Sequence, residues 1–264
     1  AVDYEGKIVW QKNLQKLFGE DTLWWDLGTS PVLTQDNVVV ACMQTGPSWL
    51  AALNKGTGEI RWKVDRDLGA PEEAAQSYST PIVLKRDGQE TIYTLGADHV
   101  TAHAAADGKE IWRVGGLNPT GHKYFRSIAS PVIEGDILVA PYARGDTVTG
   151  IRLGGQGDVT KTHVLWTEKD VGTDVPTPTV KDGRVYVCRD RGLVTCLDLK
   201  TGKKLAEVTL EKSRSGFSSS PILADNLLYV TREDGKTFVL DTADALKTVG
   251  ASELNENTVA TPAF

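Results

Sequence analysis

The sequence predicts an all-β fold assembled from repeating four-stranded antiparallel units, and three observations predict it. A Ser/Thr-Pro dipeptide leading into apolar residues recurs six times in the 264 residues, at Ser30-Pro31, Thr80-Pro81, Ser130-Pro131, Thr177-Pro178, Ser220-Pro221 and Thr261-Pro262. The prolines stand 50, 50, 47, 43 and 41 residues apart. Each dipeptide is followed by a turn and then by a β-branched or aromatic run such as Val38-Val39-Val40, Thr91-Ile92-Tyr93-Thr94 or Val185-Tyr186-Val187, the pattern of short strands between turn signals. No segment sustains a 3.6-residue apolar period with caps at both ends, so long helices are not expected. A repeat of 40–50 residues holding four short strands is the blade of a β-propeller. Five complete units are expected, plus part of one or two more.

Within a unit the elements follow in fixed order. The apolar residues after Pro form the first strand. A polar turn follows: Gln35-Asp36-Asn37, Lys85-Arg86-Asp87-Gly88, Glu134-Gly135-Asp136, Lys181-Asp182-Gly183 and Ala224-Asp225-Asn226. The β-branched run is the second strand, and a polar turn leads to the third. The turn into the fourth strand carries the sharpest signal. One copy reads Ala52-Leu53-Asn54-Lys55-Gly56-Thr57-Gly58-Glu59-Ile60-Arg61-Trp62; a second runs from Ala102 through Gly108 to Trp112; a third, one residue shorter, runs from Ala1 through Gly6 to Trp10. Gly supplies the positive φ of a tight hairpin turn. A Trp four residues later lies on the outer strand, where its ring covers the gap to the neighbouring unit and its N–H still finds an acceptor. Trp10, Trp62, Trp112, Gly58 and Gly108 are therefore expected to dock neighbouring units.

These residues resemble the A-x-D-x-x-T-G-x-x-x-W repeat of the PQQ-like β-propeller family, which includes quinoprotein alcohol dehydrogenases and BamB-like envelope proteins. The resemblance covers the whole chain, and its motif decays toward the C-terminus. Cys196-Leu197-Asp198-Leu199-Lys200-Thr201-Gly202 keeps the turn with Ala206 in place of Trp, and Ala245 and Val249 replace Gly and Trp in the last unit. Weaker docking is expected there. The Gly154–Thr162 insertion before Trp166 is expected to lengthen a hairpin. Because family members usually have seven or eight blades, residues 1–264 are expected to be a single propeller domain and a piece of a longer chain.

Composition excludes several function classes. Hydrophobic residues make up 40% and charged residues 24%, as in ordinary soluble domains. A net charge of −6 offers nothing to a phosphate backbone or an anionic bilayer, so neither nucleic acid nor direct membrane insertion is expected. The chain begins at Ala1 without an initiator Met, as expected of a processed or trimmed N-terminus, and shows no apolar signal-peptide core and no run of 18 apolar residues. Cys42, Cys188 and Cys196 lack CxxC spacing; Cys188 and Cys196 either face each other across a hairpin or are small buried side chains. His99 and His103 are half of a metal site with no third ligand, or a polar sheet face. Glu72 and Glu73 read as a solvated loop, and Gly154-Gly155-Gln156-Gly157 precedes no helix and lacks the Lys-Ser/Thr of a phosphate loop. No metal site and no catalytic residues are expected.

The informative surface is the set of loops that lead into the Ser/Thr-Pro strands, which share one rim. They are aromatic and basic: Trp24 and Trp25; Tyr78; His122, Tyr124, Phe125 and Arg126; Arg214 and Phe217. Aromatics and Arg on a concave rim serve recognition, although inward-folded rings would instead fill the core. The resemblance implies a non-catalytic binding or scaffold module in the cell envelope or periplasm, with a protein partner and with a glycan or small ligand as further candidates. The alternatives are an oxidoreductase dependent on PQQ or another small ligand, or a ligand-sensing domain of a larger protein. In PQQ enzymes the cofactor lies over a Trp, under a vicinal disulfide and beside carboxylates that hold Ca²⁺; the missing Cys-Cys pair leaves no cofactor expected.

Overall fold

The computed structural model describes residues 1–263; Phe264, which ends the sixth Ser/Thr-Pro copy, lies outside the described residues. Among them are five sheets with four antiparallel strands each, the blades of a β-propeller. The first blade holds β1 (Val32–Leu33), β2 (Asn37–Cys42), β3 (Trp49–Asn54) and β4 (Ile60–Asp65). The second holds β5 (Ile82–Arg86), β6 (Gln89–Gly96), β7 (His99–Ala104) and β8 (Glu110–Val114). The third uses β9 (Val132–Glu134), β10 (Ile137–Tyr142) and β11 (Thr147–Arg152), passes through β12 (Gly157–Asp158), and closes with β13 (Val164–Lys169). The fourth is β14 (Thr179–Lys181), β15 (Arg184–Cys188), β16 (Leu193–Asp198) and β17 (Lys204–Thr209). The fifth is β18 (Ile222–Ala224), β19 (Leu227–Thr231), β20 (Lys236–Asp241) and β21 (Lys247–Glu253). Every first strand begins immediately after its proline, whose missing N–H suits the start of a strand.

Helix is confined to short pieces, α1 (Leu14–Phe18) and α2 (Thr160–His163) and two 3₁₀ turns; none among the described residues is long and apolar enough to cross a membrane. The chain forms two compact units. One is Ala1–Ser127 with Gly155–Thr160, holding the first two blades; the other is Ile128–Gly154 with Lys161–Phe264, holding the other three.

Three of the tryptophans, Trp10, Trp62 and Trp166, follow one geometry. The Trp62 ring of β4 lies over Gly108 of the second blade, where a Cβ would sit 2.6 Å from the ring, and its Nε1–H donates to the Ala105 carbonyl at 3.0 Å. Trp10 covers Gly58 and donates to the Lys55 carbonyl at 2.9 Å. In the second unit Trp166 covers Gly202 and donates to the Leu199 carbonyl at 2.9 Å. Each ring thus buries a flat apolar face on bare backbone and satisfies its one polar atom.

A bulge recurs where β3, β7, β11, β16 and β20 meet the last strand of each blade. The residue facing the Trp position just before it is small wherever Trp is present: Ala52 opposite Trp62, Ala102 opposite Trp112, Gly150 opposite Trp166. Where the ring is lost the partner grows: Cys196 stands opposite Ala206, and Val239 opposite Gly250, which holds the Trp position of the last blade in place of the expected Val249. Leu246, 1% exposed and held at φ +64, joins the core cluster against which Ala206 packs. The C-terminal blades therefore fill from a different residue the volume that the absent Trp leaves.

The insertion does not lengthen a hairpin. Gly154, Gly155 and Gly157 all have positive φ, which turns the chain away from its own sheet. β12 then lies parallel to β8 of the second blade, pairing Gly157 with Trp112 and Asp158 with Arg113. The Val159 N–H donates to the Arg113 carbonyl at 2.9 Å, and the Gly115 N–H to Thr160 Oγ1 at 2.8 Å. Edge groups of β8 that would face water are thereby paired. Trp112, 2% exposed, sits under this strap and against Tyr93, with ring centroids 5.8 Å apart.

Candidate functional site

Three loops of the first unit are fastened together by backbone pairing. Ser77 bridges Met43 on one side and Ser127 on the other. The Tyr78 N–H donates to the Ser127 carbonyl at 2.8 Å, and the Ala74 N–H to the Lys123 carbonyl at 2.9 Å. The loops entering β5 and β9 therefore run side by side.

Buried amides tie the loop before β1 to this pair. Gln76, fully buried, accepts at Oε1 from the Tyr78 hydroxyl (2.8 Å) and from the Trp24 N–H (3.2 Å), and donates through Nε2 to Thr45 Oγ1 (3.1 Å). Gln44 accepts the Thr22 N–H at 2.9 Å. Asn118, 6% exposed, accepts the His122 N–H and donates to the His122 carbonyl, both at 3.0 Å. Such saturated networks fix loop positions, because an unmade bond in low dielectric is costly. Nothing in the sequence singles out Gln44, Gln76 or Asn118; they are amides in polar loops until the fold buries them.

On this base stands an exposed aromatic cluster. Trp24 and Trp25 are 55% and 69% exposed and Tyr124 38%. His122 stacks on Phe125 with centroids 4.2 Å apart and meets the Tyr124 ring edge-on at 5.8 Å. Lys123 Nζ sits 4.8 Å above the Tyr124 ring and 3.1 Å from Glu72 Oε1, and both contacts raise the ammonium pKa. Lys123 has no part in the sequence expectation, yet it is the exposed cation of the cluster.

Other expected rim residues lie below the surface. Arg126 pairs with Glu73 at 3.4 Å, with side chains only 12% and 7% exposed; Glu73 is thus no solvated loop residue, and Arg126 locks two loops together. Tyr78 is half-buried, and burial pushes its hydroxyl pKa up. In the second unit Arg214 is exposed, whereas Phe217 is a core residue, 2% exposed, packed on Gly192 and 6.2 Å from the Phe238 ring. Phe217 therefore offers no rim surface.

The remaining candidates are structural. The three cysteines are free and buried; burial pushes the Cys42 thiol up to about 12 and the Cys188 thiol upward as well, so neither is a ready nucleophile. Cys188 pairs in register with Val194 and Cys196 with Tyr186, so they do not face each other. His99 and His103 are engaged by backbone carbonyls, at 2.7 Å to Ala97 and 2.9 Å to Gly108. Among the described residues no three His, Cys, Asp or Glu come together as metal ligands. No two of the three cysteines are adjacent in the sequence.

Residues 1–245 match the family described as outer membrane protein assembly factor BamB. The chain belongs to this family. The family is one of BamB-like propellers, which includes protein-binding scaffolds and PQQ dehydrogenases. No curated protein matches the chain. Among solved structures it is similar to BamB from Moraxella catarrhalis (19% identity, TM-score 0.60, covering 89% of this chain and 63% of that one). It is also similar to the computationally designed Ika8 protein (18% identity, TM-score 0.60, covering 88% and 64%). A third is quinohemoprotein alcohol dehydrogenase from Comamonas testosteroni (16% identity, TM-score 0.64, covering 85% and 42%). At these identities the likeness shows the fold alone, and the chain spans less than two-thirds of each of these structures.

Proposed function

We propose that this BamB-family chain is a non-catalytic binding module that docks a protein partner, in the cell envelope, through the face carrying Trp24, Trp25, His122, Lys123 and Tyr124. The observation that carries this reading is a pair of adjacent, mostly exposed tryptophans on a loop whose backbone is pinned by buried Gln44 and Gln76. Rings carried on a backbone already pinned cost less ordering on binding, and Trp and Tyr are the residues that anchor interfaces. Lys123 beside Tyr124 adds a cation that would meet an acidic partner group. The envelope location rests on the kinship with outer membrane assembly factors.

The test compares wild type with a Trp24→Ala/Trp25→Ala/Tyr124→Ala variant as bait in envelope extract, with melting temperatures measured in parallel. The three rings are exposed, so the melting temperature is expected to stay the same while a protein retained by wild type is lost. Equal retention by both baits would sink the reading.

A further inference from the structure

The second unit contains a pocket of about 230 Å³ with three arginines among its lining residues. Arg144 comes from the turn between β10 and β11, where it sits at φ +53; Arg189 and Arg191 come from the turn between β15 and β16. Two glycines form the bare part of the wall. A Cβ on Gly145 would lie 3.0 Å from the Asp174 nitrogen, and one on Gly172 would lie 2.6 Å from the Thr147 carbonyl oxygen. Both glycines therefore lie against closed backbone.

The charge balance inside is positive. Two carboxylates lie close: Asp174, 3.7 Å from Arg144 Nε, and Asp190, which lines the cavity. Burial, with the nearby Asp174 charge, favours the neutral form of Asp190, which also accepts the Val175 N–H at 3.4 Å. Arg189 spends one N–H on the Asp170 carbonyl at 2.6 Å. Arg191 is exposed and has no hydrogen bond or ion pair among the described residues. In a chain of net charge −6, three arginines lining one small pocket are a local inversion of sign.

We infer that this cavity binds a phosphate dianion, either the free ion or a terminal phosphomonoester. One bidentate Arg satisfies a carboxylate, whose two oxygens lie in a plane. Three guanidinium groups arriving from two different turns match a tetrahedral group with acceptors in three dimensions and two charges to neutralise. The cavity volume admits such a group and little more than a short ester substituent. The site shares no residue with the aromatic face and stands or falls independently of it.

Isothermal titration calorimetry at low ionic strength, with inorganic phosphate and with glycerol phosphate as separate probes, tests this. One site per chain is expected, weakened about tenfold or more by Arg191→Ala, a loss of one charge-assisted contact. Because Arg191 is exposed and unpaired, the variant should keep its melting temperature. Arg61→Ala, an exposed arginine of β4, should bind as wild type does. Tighter binding of glycerol phosphate would assign an ester as the ligand, and tighter binding of inorganic phosphate the free ion. The inference is overturned if neither probe saturates, if Arg191→Ala binds as well as wild type, or if succinate outcompetes both phosphates.

Discussion

Burial holds His103 neutral, and hydrogen bonds at both ring nitrogens fix its position. Arg66, 2% exposed, donates through Nε to Thr101 Oγ1 at 2.8 Å, which leaves that hydroxyl to donate to His103 Nε2 at 2.9 Å. The other ring nitrogen, Nδ1–H, then donates to the Gly108 carbonyl. A second proton would place a positive charge in a buried site, and burial lowers the pKa from 6.5 to about 4. The unfolded chain accepts a proton below about 6.5 while the folded one does not, so this stability is present above that pH and is lost as pH falls toward 4. By linkage the full effect is about 3 kcal/mol, with about 2 kcal/mol lost by pH 5. Urea midpoints at pH 7 and pH 5 check it: wild type should lose more than His103→Gln, which starts lower but has no imidazole to protonate. In sequence, His99 and His103 showed only a spacing of four; the burial that gives one of them this role comes from the neighbouring turn.

Pairs of residues decide the stability of each blade. Gly150 and Gly250 hold equivalent bulge positions on opposite sides of the same pairing, yet their surroundings differ. A Cβ on Gly150 would lie 2.2 Å from the Trp166 ring, whereas one on Gly250 meets nothing nearer than the Val239 Cβ at 3.9 Å. Gly150→Ala should therefore cost about 1–3 kcal/mol through overpacking, while Gly250→Ala should be neutral or stabilising by up to about 1 kcal/mol. Thermal melts of the two variants separate these outcomes. Trp62→Ala removes a ring that covers Gly108 and is expected to cost about 3–5 kcal/mol. The same contacts explain why the repeat was legible. The leading Ala of the motif faces the Trp across the sheet, its Gly lies under the Trp of a neighbouring unit, and its spacing is the hairpin between them. The later units were less legible because Cys196, Val239 and Leu246 fill the same space with residues that carry no shared pattern. The path of β12 was hidden for another reason: glycines permit a turn without stating its direction.

Across the whole molecule, strand order and blade content follow from punctuation by Pro and Gly, which act locally, while the candidate site follows from burial, which does not. Trp24, Trp25 and Tyr124 are exposed in the loops where the sequence places them. Arg126 and Phe217 have the same residue types in comparable loops but lie under the surface, one in an ion pair with Glu73 and the other in the core. Removing one partner of that pair, as in Glu73→Ala, loses a largely buried ion pair and is expected to lower the stability; a lowered melting temperature with the aromatic face unmutated is the outcome expected if the ion pair supports the loops beneath it. The account turns on whether the face itself meets a protein. A photo-crosslinking side chain placed at position 25, with Trp24, His122 and Tyr124 intact, reads this directly in envelope extract. One discrete protein adduct, suppressed by excess wild-type chain and untouched by excess Trp24→Ala/Tyr124→Ala chain, is the predicted result; no adduct, or equal suppression by both competitors, would contradict it.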